Sequence, residues 1–525
     1  MKLKNLILFI VTFFVAFCSI VYELVYSQLL TIIFGGTVLR YSITIGLFLF
    51  CLGIGSFLYN YLEKYDKKKL FVYIEICLSI IGFFGVWFII ALNSYFSFLP
   101  HFIRIILSNV PIILVGILSG LELPLLSFFS GEKSSTYSQV LGVDYFGSLA
   151  GTVLYSLVFY PYQGLIFSAF IVAFFNLIIA LLLFIFLYKK KDILLGIIFS
   201  IFLVLFILIF FRIDSFSDYL MKVYLSNSIL NFYSGWFFES IAVNVKEVVF
   251  TPYQMVFLYS IILNQGTAHE LNNTCMNIDG HIQLCDSWVH EYHAGLVDVP
   301  MAFFENTTNM SVLLIGGGDG IAVNYLSKYG VHVDQVDIDK KFVEYGKNSE
   351  FVSKYQNNSF NYSLLNLTID DGFAYIKNTQ NRYDLIILDL PGLKEDKLLP
   401  LYSQEFFLSV NKVLKDNGVA ITWVYSFREN PEYARVLMNT LSASKFEYFI
   451  NYSSYQVNET RFPVEEYLIF SNNNSRKINI SKSEYVSQLS PVYRDLTWEM
   501  FSFSEDISVN SVFKPNYGML IKNEK

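Results

Sequence analysis

Charged residues are scarce in this chain of 525 residues: 15% are Asp, Glu, Lys or Arg, whereas 54% are hydrophobic. A soluble globular chain rarely reaches that balance, so the composition predicts a membrane domain. The net charge is −7, and the chain lacks clusters of lysine and arginine interleaved with aromatic residues. We therefore expect no nucleic-acid partner.

Cysteine and histidine are also rare, with five and six residues respectively. The sequence contains no Cys-x-x-Cys pair, and its histidines and cysteines do not stand at the spacing of a zinc site. We therefore expect no metal centre. Cys275 and Cys285 flank Asp279-Gly280, a strong signal for a two-residue turn that would bring them nearly opposite each other. Both a disulfide and two free thiols suit that position.

Apolar sequence is abundant, and it is concentrated in the first 212 residues. About 20 apolar residues in a helix span the ~30 Å hydrocarbon core of a bilayer. Stretches of that kind occur at 6–34, 42–61, 70–93, 104–130, 140–160, 164–188 and 193–212. We therefore predict an N-terminal all-α transmembrane bundle of about seven spans over residues 1–213.

Four carboxylates interrupt these stretches: Glu23, Glu75, Glu122 and Asp144. An ionised acid inside a membrane is costly and usually faces the interior of a helix bundle. Hydrogen bonding between helices is the simpler interpretation, and a transport or proton-relay role is the alternative.

The rest of the chain has the composition of a soluble domain. We predict an amphipathic linker over 214–242 and a small antiparallel β-subdomain over 243–300, where short apolar runs alternate with turns. Over 301–525, strand and helix patterns alternate, which predicts a doubly wound, mostly parallel sheet of the Rossmann-like, class I methyltransferase type. Ligands of such sheets bind at the carboxyl ends of the strands.

A glycine turn follows the first predicted strand of that sheet. Gly316, Gly317 and Gly318 would let a ligand approach the backbone at the N-terminus of a helix. Asp337 stands 21 residues after Gly316, at the end of the next strand, where a carboxylate accepts both ribose hydroxyls. Together with Asp371 near the expected adenine edge, this arrangement predicts an adenosine-containing ligand.

Two further acids indicate which class of nucleoside binds and which residue acts in catalysis. Asp319 would repel a pyrophosphate, and no Gly-x-Gly-x-x-Gly run is present, so a sulfonium nucleoside fits better than a dinucleotide. Asp389 ends another strand directly before Leu390-Pro391, where a carboxylate has little structural purpose. We therefore predict a catalytic role for Asp389.

The run Ile315-Gly-Gly-Gly-Asp-Gly320 resembles the signature turn of the spermidine and spermine synthases, which are polyamine aminopropyltransferases. Further motifs match that family in order: Thr251-Pro-Tyr-Gln254, Ile278-Asp-Gly-His-Ile-Gln-Leu284, Tyr292-His293, Asp337-Ile-Asp339, Asp371-Gly372-Phe373, Asp389 and Leu401-Tyr-Ser-Gln-Glu-Phe-Phe407. Three motifs resemble the multi-span module fused to some bacterial members: Tyr22-Glu-Leu-Val25, Gly120-Leu-Glu-Leu-Pro124 and Gly142-Val-Asp-Tyr-Phe-Gly147.

The resemblance implies transfer of an aminopropyl group from decarboxylated S-adenosylmethionine, a co-substrate, to putrescine or a related polyamine, with methylthioadenosine as the product. No separate cofactor is implied. Asp389 would be the catalytic base. The nucleoside would contact Gln254, Gly316, Gly317, Gly318, Asp337, Asp371 and Gly372. The amine would contact Tyr292, His293 and Asp319. The lipid bilayer is the other expected partner. The oligomeric state considered for the chain is a homodimer.

This sequence departs from the family pattern at amine positions. Gly392 stands where a second acid is expected three residues after Asp389, and Ala294 replaces a glutamate expected after His293. Two alternatives therefore stay open. One is a methyltransferase that uses intact S-adenosylmethionine, and the other is a non-catalytic membrane sensor or transporter of polyamines.

Two arguments place the C-terminal half on opposite sides of the membrane. The lysines of the N-terminal loops fall on the side of the N-terminus, which the positive-inside rule assigns to the cytoplasm. Seven crossings would then carry the C-terminal half outside. Decarboxylated S-adenosylmethionine is made inside cells, however, and we give this substrate supply more weight, so we predict a cytoplasmic soluble half in a multi-pass protein of the cell membrane.

Overall fold

The computed structural model describes residues 3–35, 37–130, 134–185, 193–234, 240–268, 270–279, 281–393, 396–453, 465–477 and 496–520. The chain divides into two compact units. The first comprises residues 1–250, 254–274 and 278–280, and the second comprises 251–253, 275–277 and 281–525.

The first unit is built of long apolar helices around one hydrophobic core. Their bounds are α1 Leu3–Phe34, α2 Thr37–Leu62, α3 Lys67–Tyr95, α4 His101–Ser108, α5 Val110–Ser130, α6 Ser134–Leu154, α7 Tyr160–Leu183, α8 Ile193–Phe210 and α9 Ile213–Ser234. A π-helical turn, Tyr155–Phe159, joins α6 to α7 without a break. Gly164 has a φ of 76° and kinks α7 near its start.

Within the described ranges, five helical stretches are long and apolar enough to cross a membrane: Leu6–Phe34, Val38–Leu62, Lys67–Tyr95, His101–Ser130 and Tyr137–Leu183. Gly196–Phe210 and Ile213–Leu230, bent by 71°, make a sixth if they count as one span. The sequence predicts about seven. The numbers differ because the stretches predicted at 140–160 and 164–188 fall in one candidate stretch, Tyr137–Leu183, which Gly164 interrupts with a non-helical conformation.

The interior of the first unit holds the carboxylates predicted to lie there. Glu23, Glu75 and Glu122 are buried, and Asp144 is half-buried. α6 also approaches α1 closely, because a Cβ at Gly147 would collide with the carbonyl oxygen of Phe13 in α1. The helices therefore pack tightly around a core that contains polar groups.

Most of the segment predicted as a linker is helical. It forms α9, and Phe216 at its start stacks on Trp87 of α3 with ring centroids 4.1 Å apart. The remainder of the predicted linker includes 235–239, which lie outside the described residues.

A four-stranded sheet follows α9, with strands in sequence order: β1 Ile241–Phe250, β2 Met255–Leu263, β3 Leu271–Ile278 and β4 His281–Cys285. β1 and β2 pair antiparallel. The hairpin predicted at Asp279-Gly280 joins β3 to β4, and Asp279 has the positive φ, 49°, that such a turn requires. Gly280 lies outside the described residues. A disulfide links Cys275 to Cys285, whose Cα atoms are 4.0 Å apart.

The main sheet has eight strands in the described residues, in the order β12-β10-β11-β9-β8-β5-β6-β7. Their bounds are β5 Ser311–Gly316, β6 His332–Asp337, β7 Leu365–Ile369, β8 Tyr383–Asp389, β9 Leu414–Val424, β10 Tyr448–Ser453, β11 Glu466–Ser471 and β12 Glu499–Met500. β7, β6, β5, β8 and β9 are parallel, whereas β11 runs antiparallel to β9 and β10 to β11. The predicted mostly parallel sheet is confirmed.

Short helices connect these strands. They are α10 Val289–His293, α11 Val299–Met301, α12 Ile321–Ser327, α13 Lys340–Asn348, α14 Glu350–Gln356, α15 Gly372–Asn378, α16 Gln404–Val413 and α17 Pro431–Ala443. The central strands are covered on both faces, since Val312 to Ile315 of β5 and Leu385 to Leu388 of β8 are at most 2% exposed. Continuous apolar runs of this kind are typical of buried parallel strands.

Candidate active site

The glycine turn after β5 lies directly beside the end of β8. Gly316 pairs in register with Asp389 and has a φ of 86°, in the left-handed region that favours glycine. Any side chain at Gly316 would collide with the carbonyl oxygen of Asp389, and a Cβ at Gly317 would lie 3.1 Å from Oδ2 of the same residue. The absence of side chains therefore leaves the carboxyl ends of two parallel strands open to a ligand.

Asp337 ends β6, the neighbour of β5 on its other side, and is 9% exposed. Its Oδ1 accepts a hydrogen bond of 2.8 Å from the backbone N–H of Asp339, and the N–H of Gly318 also donates to this carboxylate. Burial raises the pKa of Asp337 to about 6, against the lowering effect of these two hydrogen bonds. The carboxylate predicted to hold the ribose thus lies against the glycine turn.

Asp389 is held by a residue from outside the sheet. The hydroxyl of Tyr292, in α10, donates a hydrogen bond of 2.8 Å to Oδ1 of Asp389. Burial raises the pKa of Asp389 to about 7, and the nearby charge of Asp319 adds to the rise, whereas the hydrogen bond from Tyr292 opposes it. A carboxyl group with a pKa near neutrality can exchange a proton under physiological conditions.

His293, the residue after Tyr292 in α10, is 1% exposed. Its Nδ1 is 2.8 Å from the carbonyl oxygen of Val289, its ring contacts Tyr292 edge-on, and it stacks on Tyr325. Burial lowers the pKa of His293, so the ring is neutral at pH 7. Nδ1 then donates to Val289, and Nε2 is a buried nitrogen without a hydrogen-bond partner among the described residues.

Asp319 is half-buried, and its Oδ1 accepts a hydrogen bond of 2.9 Å from the backbone N–H of Ile321. Asp319 thus holds the turn that leads into α12, whose N-cap residue is Gly320. Its charge also raises the pKa of both Asp389 and Asp337. Three carboxylates therefore share one edge of the sheet, an environment that favours a cationic ligand.

Three further residues are predicted to contact the nucleoside: Asp371, Gly372 and Gln254. Asp371 is exposed and caps α15 by accepting a hydrogen bond of 2.8 Å from the N–H of Ala374. Gly372 packs so closely on Ile315 of β5 that a Cβ would lie 2.6 Å from its Cγ2. Gln254 belongs to the first unit, where it is half-buried immediately before β2.

Three side chains that the sequence analysis did not identify stand at the same edge of the sheet. The indole Nε1 of Trp423, near the end of β9, donates to Oε2 of Glu465, which immediately precedes β11. Burial raises the pKa of Glu465 to about 7, against the lowering effect of that hydrogen bond. Tyr425 packs edge-on against Trp423, with ring centroids 4.6 Å apart. No local pattern distinguishes Glu465, because it opens an ordinary strand-like run.

Comparison with known proteins gives matches over most of the chain. Residues 289–482 match the family described as "Spermine/spermidine synthase domain". The chain is 30% identical over 416 residues to polyamine aminopropyltransferase 2 of Aquifex aeolicus, covering 78% of this chain and 77% of that protein. It is 28% identical over 442 residues to the polyamine aminopropyltransferase of Oceanobacillus iheyensis, covering 82% and 78% respectively. Spermidine synthase from Thermotoga maritima matches 50% of this chain and 81% of its own, with 18% identity and a TM-score of 0.35.

Proposed function

The chain belongs to the polyamine aminopropyltransferase family, and we propose on this basis that it transfers the aminopropyl group of decarboxylated S-adenosylmethionine to a diamine such as putrescine, releasing methylthioadenosine. Decarboxylated S-adenosylmethionine is a co-substrate, and the reaction needs no separate cofactor. The observation that carries the proposal is the Asp389 carboxyl group, bonded by Tyr292 beside the open glycine turn.

Asp389 is the proposed base. An alkylamine has a pKa near 10 and arrives protonated, so its nitrogen has no lone pair for attack. Asp389 accepts one proton, and the nitrogen attacks the aminopropyl carbon next to sulfur. The new C–N bond forms as the C–S bond breaks, and the bonding pair goes to sulfur, which turns the sulfonium into the neutral thioether of methylthioadenosine. A base with a pKa of about 7 suits this step near neutral pH.

The nucleoside is proposed to lie across the glycine turn. Asp337 would accept both ribose hydroxyls, and its contact with Gly318 supports this role because it places the carboxylate against the turn. Asp371 and Gly372 would border the adenine. Charge-assisted hydrogen bonds to Asp337 would contribute most of the polar binding energy.

The amine is proposed to bind between Asp319, Tyr292 and Asp389. The carboxylate of Asp319 would attract the cation, and Tyr292 would direct the Asp389 carboxyl towards the attacking nitrogen. His293 would act through its ring contact with Tyr292, since it is buried and neutral. Alignment and removal of water are the main contributions that such a site makes to rate.

The proposed organisation is a multi-pass membrane domain over 1–213, a linker over 214–242, a β-subdomain over 243–300 and the catalytic domain over 301–525. Large apolar side chains are exposed along α2, including Phe50 and Phe57, at 66% and 76%. Such surfaces suit contact with lipid and are rare on soluble monomers. These exposed side chains and the apolar helices support a place in the cell membrane.

We propose that the soluble half faces the cytoplasm, where decarboxylated S-adenosylmethionine is made. Tyr137–Leu183 is counted here as one crossing, and so is the bent pair Gly196–Phe210 and Ile213–Leu230, which extends into the proposed linker. The six crossings return the chain to the side of the N-terminus, which carries the lysines at 2, 4, 64, 67, 68, 69 and 133. The lysines at 189–191 then fall on the other side. The disulfide between Cys275 and Cys285 supports the opposite orientation, because disulfides persist in oxidising compartments.

The function is tested by incubating the purified full-length protein with putrescine and either decarboxylated or intact S-adenosylmethionine, and by identifying the products by mass spectrometry. The proposal requires an aminopropylated amine from the decarboxylated form only. A methylated product from intact S-adenosylmethionine would identify a methyltransferase instead. Binding of the amine or nucleoside without any product would favour a sensor or transporter.

A further inference from the structure

The position three residues after Asp389 is closed to an acidic side chain. Gly392 stands there, and a Cβ at this residue would collide with the hydroxyl of Tyr425 and lie 3.0 Å from Cζ3 of Trp423. The two aromatic side chains thus occupy the space that a carboxylate at position 392 would need. Any acid that serves this part of the site must come from another element.

Glu465 supplies a carboxyl group beside these two aromatic residues. The indole of Trp423 points its Cζ3 edge at Gly392 and donates from Nε1, on its other edge, to Oε2 of Glu465. The antiparallel register of β9 and β11 explains why Trp423 and Glu465 are neighbours. Glu466 pairs with Val424, which brings the start of β11 to the end of β9.

Glu465 also lies within electrostatic range of the proposed amine site. The charges of both Asp389 and Glu465 raise the pKa of Tyr292, after burial as the main cause. Glu465 likewise raises the pKa of Tyr425, again after burial. Tyr292 is therefore within electrostatic range of two carboxyl groups, one of them the proposed base.

We propose that Glu465 binds the remote ammonium group of the acceptor amine and thereby makes the site selective for diamines over monoamines. This inference rests on the proposed function. A diamine brings two cationic ends: Asp389 deprotonates one, and the other stays charged in a site shielded from water. A buried charge without a partner is costly, so the second end needs a carboxylate of its own. Trp423 and Tyr425 would cover the carbon chain of the amine.

A purely structural role for Glu465 predicts a different behaviour. In that case its only task is to accept the hydrogen bond from Trp423. Glu465→Gln keeps a side-chain oxygen that can accept this bond and removes only the negative charge. The variant therefore separates binding of a cation from support of the indole.

The test compares kcat/KM of the full-length protein for butane-1,4-diamine and for butylamine, which has the same carbon chain and one amino group. For Glu465→Gln, we expect kcat/KM for the diamine to fall by about 10- to 100-fold, as for loss of a charge-assisted hydrogen bond. We expect kcat/KM for butylamine to stay unchanged. Equal losses for both amines, or no loss for either, would overturn the inference.

Glu466→Gln is the matched control, since Glu466 is the next residue and its Oε2 accepts a hydrogen bond of 3.2 Å from the N–H of Phe427. It should leave the ratio of the two kcat/KM values as in the unchanged protein. Methylthioadenosine affinity, measured by calorimetry, reports whether each variant is folded. If the unchanged protein transfers to neither amine, the proposed function fails and the inference fails with it. If it transfers but Glu465→Gln keeps the diamine preference, only the inference fails.

Discussion

The hydroxyl of Tyr292 donates a hydrogen bond of 2.8 Å to Oδ1 of Asp389 and so connects α10 to the end of β8. This bond lowers the pKa of Asp389, whereas burial and the charge of Asp319 raise it, and the balance is a pKa of about 7. A residue that lies outside the parallel sheet therefore moderates the pKa of the proposed base.

Removing that hydroxyl should move the pH dependence of the reaction. Only the ionised form of Asp389 accepts a proton, so kcat/KM should rise as the pH passes the pKa of Asp389, at about 7. Tyr292→Phe loses the hydrogen bond that lowers the pKa of Asp389. That pKa therefore rises, and the increase in kcat/KM should occur at higher pH. Steady-state kinetics across the pH range measure the shift.

Tyr329→Phe is the control for this shift, because the hydroxyl of Tyr329 makes the same kind of bond, also of 2.8 Å, to Asp298 elsewhere in the second unit. In Tyr329→Phe, kcat/KM should rise at the same pH as in the unchanged protein. If kcat/KM of Tyr292→Phe rises at the same pH as in the unchanged protein, another group controls the pH dependence.

Asp389→Asn should abolish transfer and leave nucleoside binding nearly intact. Asparagine has almost the same shape as aspartate but cannot accept the proton of the incoming ammonium group, and loss of a general base costs about 10²- to 10⁴-fold in rate. Single-turnover kinetics measure the loss, and calorimetry with methylthioadenosine measures binding. Turnover close to that of the unchanged protein would exclude Asp389 as the base.

Asp337→Ala should weaken the binding of methylthioadenosine by about 1–3 kcal/mol, the effect of losing charge-assisted hydrogen bonds to the ribose. Asp334→Ala is the matched control on the same strand, since Asp334 bonds Asn366, Asn381 and Tyr383 away from the glycine turn. Calorimetry compares the two variants. Equal affinities would mean that the ribose is held elsewhere.

A cysteine at an exposed position reports the side of the membrane on which the second unit lies. Asp416 has a side chain that is 97% exposed, and we expect Asp416→Cys to resist a membrane-impermeant thiol reagent in intact cells and to react after lysis. Phe98→Cys, between α3 and α4 and 76% exposed, should react without lysis, because three crossings place it outside. The unchanged protein gives the background labelling.

Cys275 and Cys285 are buried, so they are labelled only after denaturation, with and without prior reduction. Labelling that depends on reduction would establish the disulfide in cells. Reaction of Asp416→Cys before lysis would place the second unit outside and remove the argument from substrate supply.

The sequence predicts the parallel part of the main sheet and the acids at its strand ends, because buried parallel strands appear as continuous apolar runs. The apolar run at 312–315 indicates a strand, and β5 spans Ser311–Gly316, while Asp337 and Asp389 end β6 and β8 as expected. The number of candidate spans could not be predicted in the same way. A hydropathy window detects apolar length, but it does not detect that the helix continues from Tyr155 through Pro161.

The pairing of Trp423 with Glu465 was also beyond prediction. It depends on the antiparallel register of β9 and β11, which are separated by α17 and β10, and no local pattern encodes that register. The same holds for Tyr292, whose match to a family motif predicts an amine contact but not its hydrogen bond to Asp389. Local pattern locates the strand ends, whereas tertiary contacts decide which side chains meet there.

The most direct test of the proposed activity is a product balance. The purified full-length protein is given decarboxylated S-adenosylmethionine and butane-1,4-diamine, and both products are quantified by mass spectrometry over time, with Asp389→Asn as the control. The account predicts equal amounts of methylthioadenosine and aminopropylated diamine from the unchanged protein and neither product from the variant. Methylthioadenosine without the aminopropylated diamine, or equal yields from Asp389→Asn, would contradict it.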